Sequence, residues 1–539
     1  MYSYRNLFLL LAGLSGSATP LAAQTTDLPT EAVEIIKNFD ARLEDAEKVT
    51  IPPAALETDT SKERLTYYVE SKVPKLEYDP PRLRPLAFKR EILQNQYKGF
   101  VKAGYGAPRS PWIEAGYGFQ YEDQFDAHIG FLHHSAESKK LENQRFARTA
   151  FQLDGNAHLQ DKFSVNGKVG FDQDIVSFYG YDHTDTTFNE SATKQRFNRF
   201  SLGGQVYNTK PNNLDVDYQA GADFYSLTDF FDAKETGLHL HLSLTKWFAD
   251  SHPLKVEIGN QLTAFSDSIS KNLNNFYVKP SFTYHADQFR IRGGFNLVSI
   301  ADGFKLLPNL EALYSLAGNA LAIYAGWQGD YHQNTFDQLR QYNPFIVSAY
   351  DPRESIYRDI YGGVKGAASG WNYQAQVGFK KTEDLAMFLT DDLDTRRFRI
   401  LYDTVNIVYI SASAGIELWP GLQVSGTVLQ NIYDPKNEES AWHLPGLEAF
   451  FGARYTLLEN RLLLRGDGYL ASGVSFINED SNKDRLGSLV DLSFSAHYQV
   501  IEKAWLWFQV NNLNNNQRER WYRYPSFGIN VLGGILFRF

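Results

Sequence analysis

The sequence predicts an all-β chain: a transmembrane antiparallel β-barrel of about 22 strands carrying a short periplasmic amino-terminal extension. Three observations lead there. From Gly99 onward, runs of residues alternate apolar and polar side chains, with charges on the polar side. The connections between runs alternate between short and long. The last stretch, Ser526 to Phe539 (SFGINVLGGILFRF), is itself alternating and aromatic.

The alternation decides which side of the sheet meets which medium, because strand side chains have a period of two. Phe163, Val165, Val169 and Phe171 point one way, and Ser164, Asn166 and Lys168 the other. Leu238, Leu240, Leu242 and Leu244 alternate with His239, His241, Ser243 and Thr245. Leu254, Val256 and Ile258 alternate with Lys255 and Glu257, and Leu506, Phe508 and Val510 with Trp507, Gln509 and Asn511. Charged members of the polar set must face water, so the pattern reads apolar-out and polar-in, as in a barrel with a wet lumen. A soluble barrel would show the reverse.

The connections fit the same picture. Glu122–Gln124, Gln160–Asp161, Gly318–Asn319, Trp419–Gly421, Leu458–Arg461 and Ile501–Ala504 are short. Ser177–Lys194, His332–Tyr357, Asp391–Arg396, Asn431–His443, Ile477–Leu486 and Asn514–Tyr524 are long. Short periplasmic turns and long outer loops are the usual asymmetry of such barrels.

In the terminal stretch, Phe527, Ile529, Val531, Gly533, Ile535, Phe537 and Phe539 share one side. Arg538, Gly534, Asn530 and Gly528 share the other, while Leu532 and Leu536 break the pattern. This is the expected barrel-closing strand, with Phe527, Ile529, Val531, Ile535, Phe537 and Phe539 toward lipid. A lumen closed by so many strands is wide, so partial filling from within is expected, by inward-folded loops such as His332–Tyr357 or by the leader.

Composition agrees. The chain has 539 residues, 43% of them hydrophobic and 15% aromatic, with 32 Tyr and 38 Phe. The mean hydropathy of −0.38 looks soluble, but only alternate residues of a membrane strand face lipid, and aromatic girdles enrich Tyr, Phe and Trp. Trp419, Trp442, Trp505, Trp507 and Trp521 are accordingly expected in the interfacial belts. No apolar run is long enough for a transmembrane helix. There are 0 Cys, so neither disulfides nor thiolate metal sites arise. The net charge of −10 comes without a basic block, which argues against nucleic acid.

The first 23 residues read as a secretory signal peptide, with Arg5, an apolar run from Leu7 to Leu14, and a small-residue cleavage site near Ala23. Residues 24–97 lack Gly and are dense in charge and Pro, with Pro74, Pro80, Pro81 and Pro85 enforcing extended chain. They form a periplasmic extension that can partly fill the lumen. Residues 98–539 form the barrel.

The final hairpin resembles that of TonB-dependent receptors. The resemblance rests on Asn511, Asn512, Leu513, Tyr524, Pro525, Gly528 and the closing strand through Phe539. It is nearest the plug-less or short-leader relatives of the Bacteroidota type. It implies a bacterial outer-membrane location, lipid and the barrel assembly machinery as partners, and passage or uptake of a solute. It also implies contact of residues 24–97 with TonB or another envelope protein. The family carries a plug domain ahead of the barrel; residues 24–97 are too few for one, so none is expected here. Glu31–Ile36 reads first as a short strand docking on the protein itself and second as a segment pairing with an edge strand of TonB. The alternative role is a non-transporting structural or assembly subunit of an outer-membrane complex.

No catalytic, cofactor or metal constellation stands out. His133 and His134 are adjacent on a strand and point apart, whereas a metal needs convergent ligands. The acidic clusters Asp391, Asp392, Asp394 and Asn478, Glu479, Asp480, Asp484 fit no calcium-loop spacing and read as solvated outer loops. His239 and His241 share an inward side without a Ser nucleophile pattern.

Overall fold

The computed structural model describes residues 97–539 apart from 123, 160–161, 210–211 and 302. The signal peptide, its cleavage site and the extension, apart from Tyr97, lie outside the described residues.

Twenty-two strands close into one antiparallel sheet. They are β1 (Gly99–Ala107), β2 (Trp112–Tyr121), β3 (Phe125–Glu137), β4 (Arg145–Leu159), β5 (Phe163–Ser177), β6 (Lys194–Asn208), β7 (Asp217–Thr228) and β8 (Lys234–Phe248). Next come β9 (His252–Ser266), β10 (Ser270–His285), β11 (Phe289–Ile300), β12 (Gly303–Ser315), β13 (Ala322–Asn334), β14 (Arg353–Ala368) and β15 (Trp371–Thr390). The last are β16 (Phe398–Trp419), β17 (Leu422–Pro435), β18 (Leu447–Leu457), β19 (Leu462–Ser472), β20 (Leu489–Ile501), β21 (Ala504–Asn511) and β22 (Asn530–Arg538). Each pairs with its sequence neighbours, and β22 closes on β1 through Ala103 opposite Ile535 and Gly104 opposite Gly534. Closure removes both sheet edges, the condition for a sheet in lipid.

All six connections expected to be short lie at one end, and all six expected to be long at the other. The long set is 178–193, 335–352, 391–397, 436–446, 473–488 and 512–529. It carries the helices α1 (Glu190–Thr193) and α2 (Phe336–Tyr342).

The two faces of the sheet separate as the alternation requires. Phe171, Leu240, Leu254, Leu506, Phe508 and Ile535 lie exposed on the outer surface, part of an apolar band around the barrel. Inside, Lys168 pairs with Asp223 at 2.7 Å and Lys255 with Glu257 at 2.6 Å. So many large apolar side chains exposed on the strands call for an apolar medium.

Two expectations need correction. Of the five tryptophans expected in the belts, only Trp419 is exposed, at 51%. Trp247 and Trp371, also exposed, join it at the short-turn end. Trp442, Trp505, Trp507 and Trp521 are buried inside. Trp505 and Trp507 pack on Leu532 and Leu536, the two residues that broke the alternation. An indole inside the lumen covers apolar wall as well as one at the interface does, and the sequence pattern does not separate the two. Phe527 is the second correction. It is 7% exposed, sits before β22 in the loop 512–529, and meets Phe146 edge-on at 5.7 Å. The chain turns inward over the mouth there, so strand periodicity does not extend back to it.

Candidate functional site: the capped lumen

The β13–β14 hairpin leaves the wall. Pairing of β12 with β13 stops at Asn309 and Gln328, whereas β13 stays paired with β14 to Asn334 and Arg353. The freed tip bends across β9, β10 and β11. Asn296 Nδ2 donates to Gly329 O at 2.7 Å, Lys279 meets Asp330 at 2.5 Å, and Thr263 Oγ1 donates to Gln333 Oε1 at 2.8 Å. Gln333 in turn donates to Asn275 Oδ1 at 2.6 Å. Thr263, Gln333 and Asn275 satisfy one another, which is what makes burying them tolerable.

The tip carries α2 into the lumen. Thr335 Oγ1 caps the helix by accepting from Gln338 N at 3.2 Å. The remaining free amides find a partner on the wall: Glu235 of β8 accepts from Phe336 N at 2.6 Å and from Asp337 N at 3.0 Å. Tyr225 hydroxyl donates to the same carboxylate at 2.9 Å. Arg340 donates to Asp337 within the helix and, at 2.8 Å, to Asp174 on β5. Arg199 of β6 reaches Asp337 at 2.9 Å. Burial would raise the Asp337 carboxyl, but Arg340 and Arg199 outweigh it and hold it below the usual carboxylate range. A helix of seven residues is too short to persist alone, so its place is set by these wall contacts.

Above α2 the long loops converge on one aromatic cluster. Tyr524 stacks on Phe345 with centroids 3.7 Å apart and meets Tyr179 at 4.8 Å. Trp521 meets Tyr342 at 5.4 Å, Phe398 at 5.5 Å and His443 at 5.5 Å. Arg520 donates to the Tyr342 hydroxyl at 2.8 Å and lies over its ring. The cluster therefore joins loops 178–193, 335–352, 436–446 and 512–529 to the outer ends of β15 and β16. His443 is fully buried, and burial pushes its imidazole down to about 4, so it is neutral at pH 7. Burial likewise pushes the Tyr342 phenol up to about 12.

Beneath the cap lies a cavity of about 570 Å³ between α2 and the wall. Arg148, Asp172, Arg199, Asp223, His239 and Gln261 line it from the wall, and Asp337, Arg340 and Tyr342 from above. Its lining sets these charged and polar side chains among a larger apolar area that includes Trp112, Leu132, Val176, Phe197 and Leu262.

No family model matches the chain, and no curated protein does. Solved structures do match. The chain aligns with the FrpB iron transporter from Neisseria meningitidis at a TM-score of 0.65 and 10% identity, covering 83% of this chain and 82% of that one. It aligns with the ferric-catecholate import receptor Fiu from E. coli K12 at 0.63 and 10% identity, covering 83% and 82%. It aligns with the Pseudomonas aeruginosa receptor FpvA, bound there to iron-loaded pyoverdine, at 0.61 and 11% identity, covering 82% and 72%. The fold is that of TonB-dependent receptors.

In this barrel the hairpin residues singled out in the sequence fall into two groups. Asn511 donates to Asn530 Oδ1 at 3.1 Å, and Asn530 donates to Ala107 O at 3.0 Å, so a buried amide relay crosses the closing seam. Asn512 adopts a left-handed conformation, φ 52°, which Asn tolerates better than most residues. Its side chain ties the neck of loop 512–529 through Asn516 and Phe527 carbonyls at 2.8 and 2.7 Å. Leu513 is exposed. Tyr524 sits in the cap, donating to Arg396 O. Pro525 O accepts from Gln144 at 2.9 Å and Tyr179 at 3.1 Å. Gly528 leaves room for the Asn515 and Gln517 side chains, which a Cβ would meet at 2.5 and 2.9 Å. Ile529, Ile535, Phe537 and Phe539 are exposed on the outer surface, and Val531 is half-buried there.

The acidic loop clusters are matched by arginines: Asp394 by Arg396 and Arg397, Asp392 by Arg399, and Glu479 by Arg523. His133 bonds Thr149 and His134 bonds Ser110, so the pair does point apart. Sequence reasoning missed Glu235, Asp337 and Arg340, whose partners are 101 to 166 residues away.

Proposed function

We propose that this protein is an outer-membrane uptake receptor whose outer mouth is shut by its own loops and opens when α2 and the β13–β14 tip release from the wall. The observation that carries this is the position of the aromatic cap: through Tyr342 it borders a cavity on the lumen side whose apolar lining carries several charged side chains. A purely structural barrel has no need of a separable seal held by ion pairs over such a cavity. The likeness to iron and ferric-siderophore importers favours uptake of a solute too large for general pores. The assembly-subunit alternative gains no comparable support.

In this reading lipid covers the apolar band, the barrel assembly machinery inserts the chain, and residues 24–97 engage TonB or another envelope protein. Opening needs energy, because the cap buries many aromatic side chains at roughly 1.5–3 kcal/mol each. A pull by an envelope partner supplies such energy and ligand binding alone does not have to.

The test compares cells with and without the protein for accumulation of a panel of ferric chelates carrying radioactive iron. Loss of accumulation of at least one member is expected in the null strain, with recovery on complementation. Equal accumulation across the panel, together with stable co-purification of a second outer-membrane protein, contradicts uptake and favours the assembly role.

A further inference from the structure

We propose that Asp223, His239 and His241 bind a divalent first-row transition-metal ion, of the Zn²⁺ or Ni²⁺ class, on the lumen wall beneath α2. The strand register brings them together. Asp223 on β7 is directly opposite His239 on β8, and His241 follows two residues on, on the same side. One ligand atom from each lies within 4.8 Å of the other two. Tetrahedral coordination at zinc distances separates ligand atoms by about 3.3 Å, so side-chain rotation alone completes the approach.

Three further features mark a site rather than a chance cluster. His241 Nδ1 is buried and makes no hydrogen bond, standing 3.8 Å from Asp223 Oδ2, too far for one. A buried nitrogen without a partner is costly, and a metal would satisfy it. Tyr277 hydroxyl lies 2.9 Å from His239 Nε2, the kind of outer contact that fixes a ligating ring. The floor is bare: a Cβ on Gly221 would lie 2.5 Å from the His241 ring, and one on Gly203 2.6 Å from Asp223 Oδ1. Asp223 and His239 line the cavity, so an ion in the lumen reaches them.

Two imidazoles and one carboxylate select against Mg²⁺ and Ca²⁺, which take all-oxygen sets, and for the later first-row ions. Lys168 Nζ, 2.7 Å from Asp223 Oδ1, holds the carboxylate in the metal-free arrangement. Its side chain is 55% exposed and swings away freely, so the ion displaces it. The inference does not depend on the uptake reading: binding is measured on the isolated barrel.

Untagged full-length protein in detergent is titrated calorimetrically with ZnCl₂ and, in parallel, MgCl₂. One Zn²⁺ site and no Mg²⁺ site are expected. The double variant His239→Gln/His241→Gln should lose at least about a hundredfold in affinity, and Asp223→Asn about tenfold. Lys168→Met should bind more tightly than wild type. All variants are first shown to keep heat-modifiable mobility on gels, the mark of a closed barrel. Wild-type protein that takes up no Zn²⁺, or a double variant that binds as wild type does, overturns the proposal.

Discussion

Arg340 of α2 meets Asp174 of β5 at 2.8 Å, and through this pair a loop helix is fastened to the barrel wall. The Arg340 guanidinium is 4% exposed, so its charge is compensated by Asp174 and Asp337 alone among the described residues. Removing one partner of a fully buried pair costs about 3–5 kcal/mol, and the cost here is smaller because Asp337 still faces Arg340 or Arg199 when one member of the pair is lost. Asp174→Asn and Arg340→Met should therefore loosen α2 without opening the seam. Hydrogen exchange of 335–352 should rise in both variants while the strands stay protected. Unchanged protection of 335–352 would show that the pair does not hold the helix.

Glu235 acts at the other end of α2. Glu235→Gln keeps one acceptor oxygen and Glu235→Ala none, so the two should differ. The expected loss is about 1 kcal/mol for Gln and 2–3 kcal/mol for Ala, from two unsatisfied buried amides. Protease nicking within 335–352 should rank Ala above Gln above wild type. Equal rates for all three would remove Glu235 from the latch.

Trp521 touches Tyr342, Phe388, Phe398 and His443. Trp521→Ala should cost the cap about 3–5 kcal/mol. Cells carrying this variant should become sensitive to large antibiotics that the outer membrane normally excludes. A variant as resistant as wild type would mean that the mouth is sealed without this indole.

His443 makes the cap sensitive to acid. Its folded value of about 4 lies below the ordinary 6.5 because burial disfavours the cation. Above about pH 6.5 both capped and open states carry it neutral, and the cap keeps its full stability. As pH falls from about 6.5 toward 4 the open state takes up the proton and the cap loses up to about 3 kcal/mol. Exchange of 436–446 should accelerate over that window, and His443→Gln should flatten the profile. An unaltered profile in His443→Gln would assign the pH dependence elsewhere.

The barrel was legible because its rule is local. The leucines of 238–244 and the histidines between them sit on opposite sides of β8, and two neighbours suffice to read that. Connection lengths are local as well, so the short-turn and long-loop ends could be told apart. The cap was not legible. Glu235 and the α2 amides lie 101 and 102 residues apart, and nothing at either position announces the other. The inward fate of Trp507 depends on Gly104 of the neighbouring strand, where a Cβ would lie 2.2 Å from the indole. His239 and His241 were placed on one inward side, but Asp223 joins them only through the β7–β8 register.

The central claim is that the barrel's own loops close a lumen that is otherwise wide. Single-channel conductance in planar bilayers tests it most directly, comparing wild type with a variant in which 335–352 is replaced by a short Gly-Ser linker. Wild-type protein should stay closed or nearly so, and the variant should show large, steady conductance. A wide, ungated wild-type pore, or a loop-replaced variant that conducts no more than wild type, would contradict it.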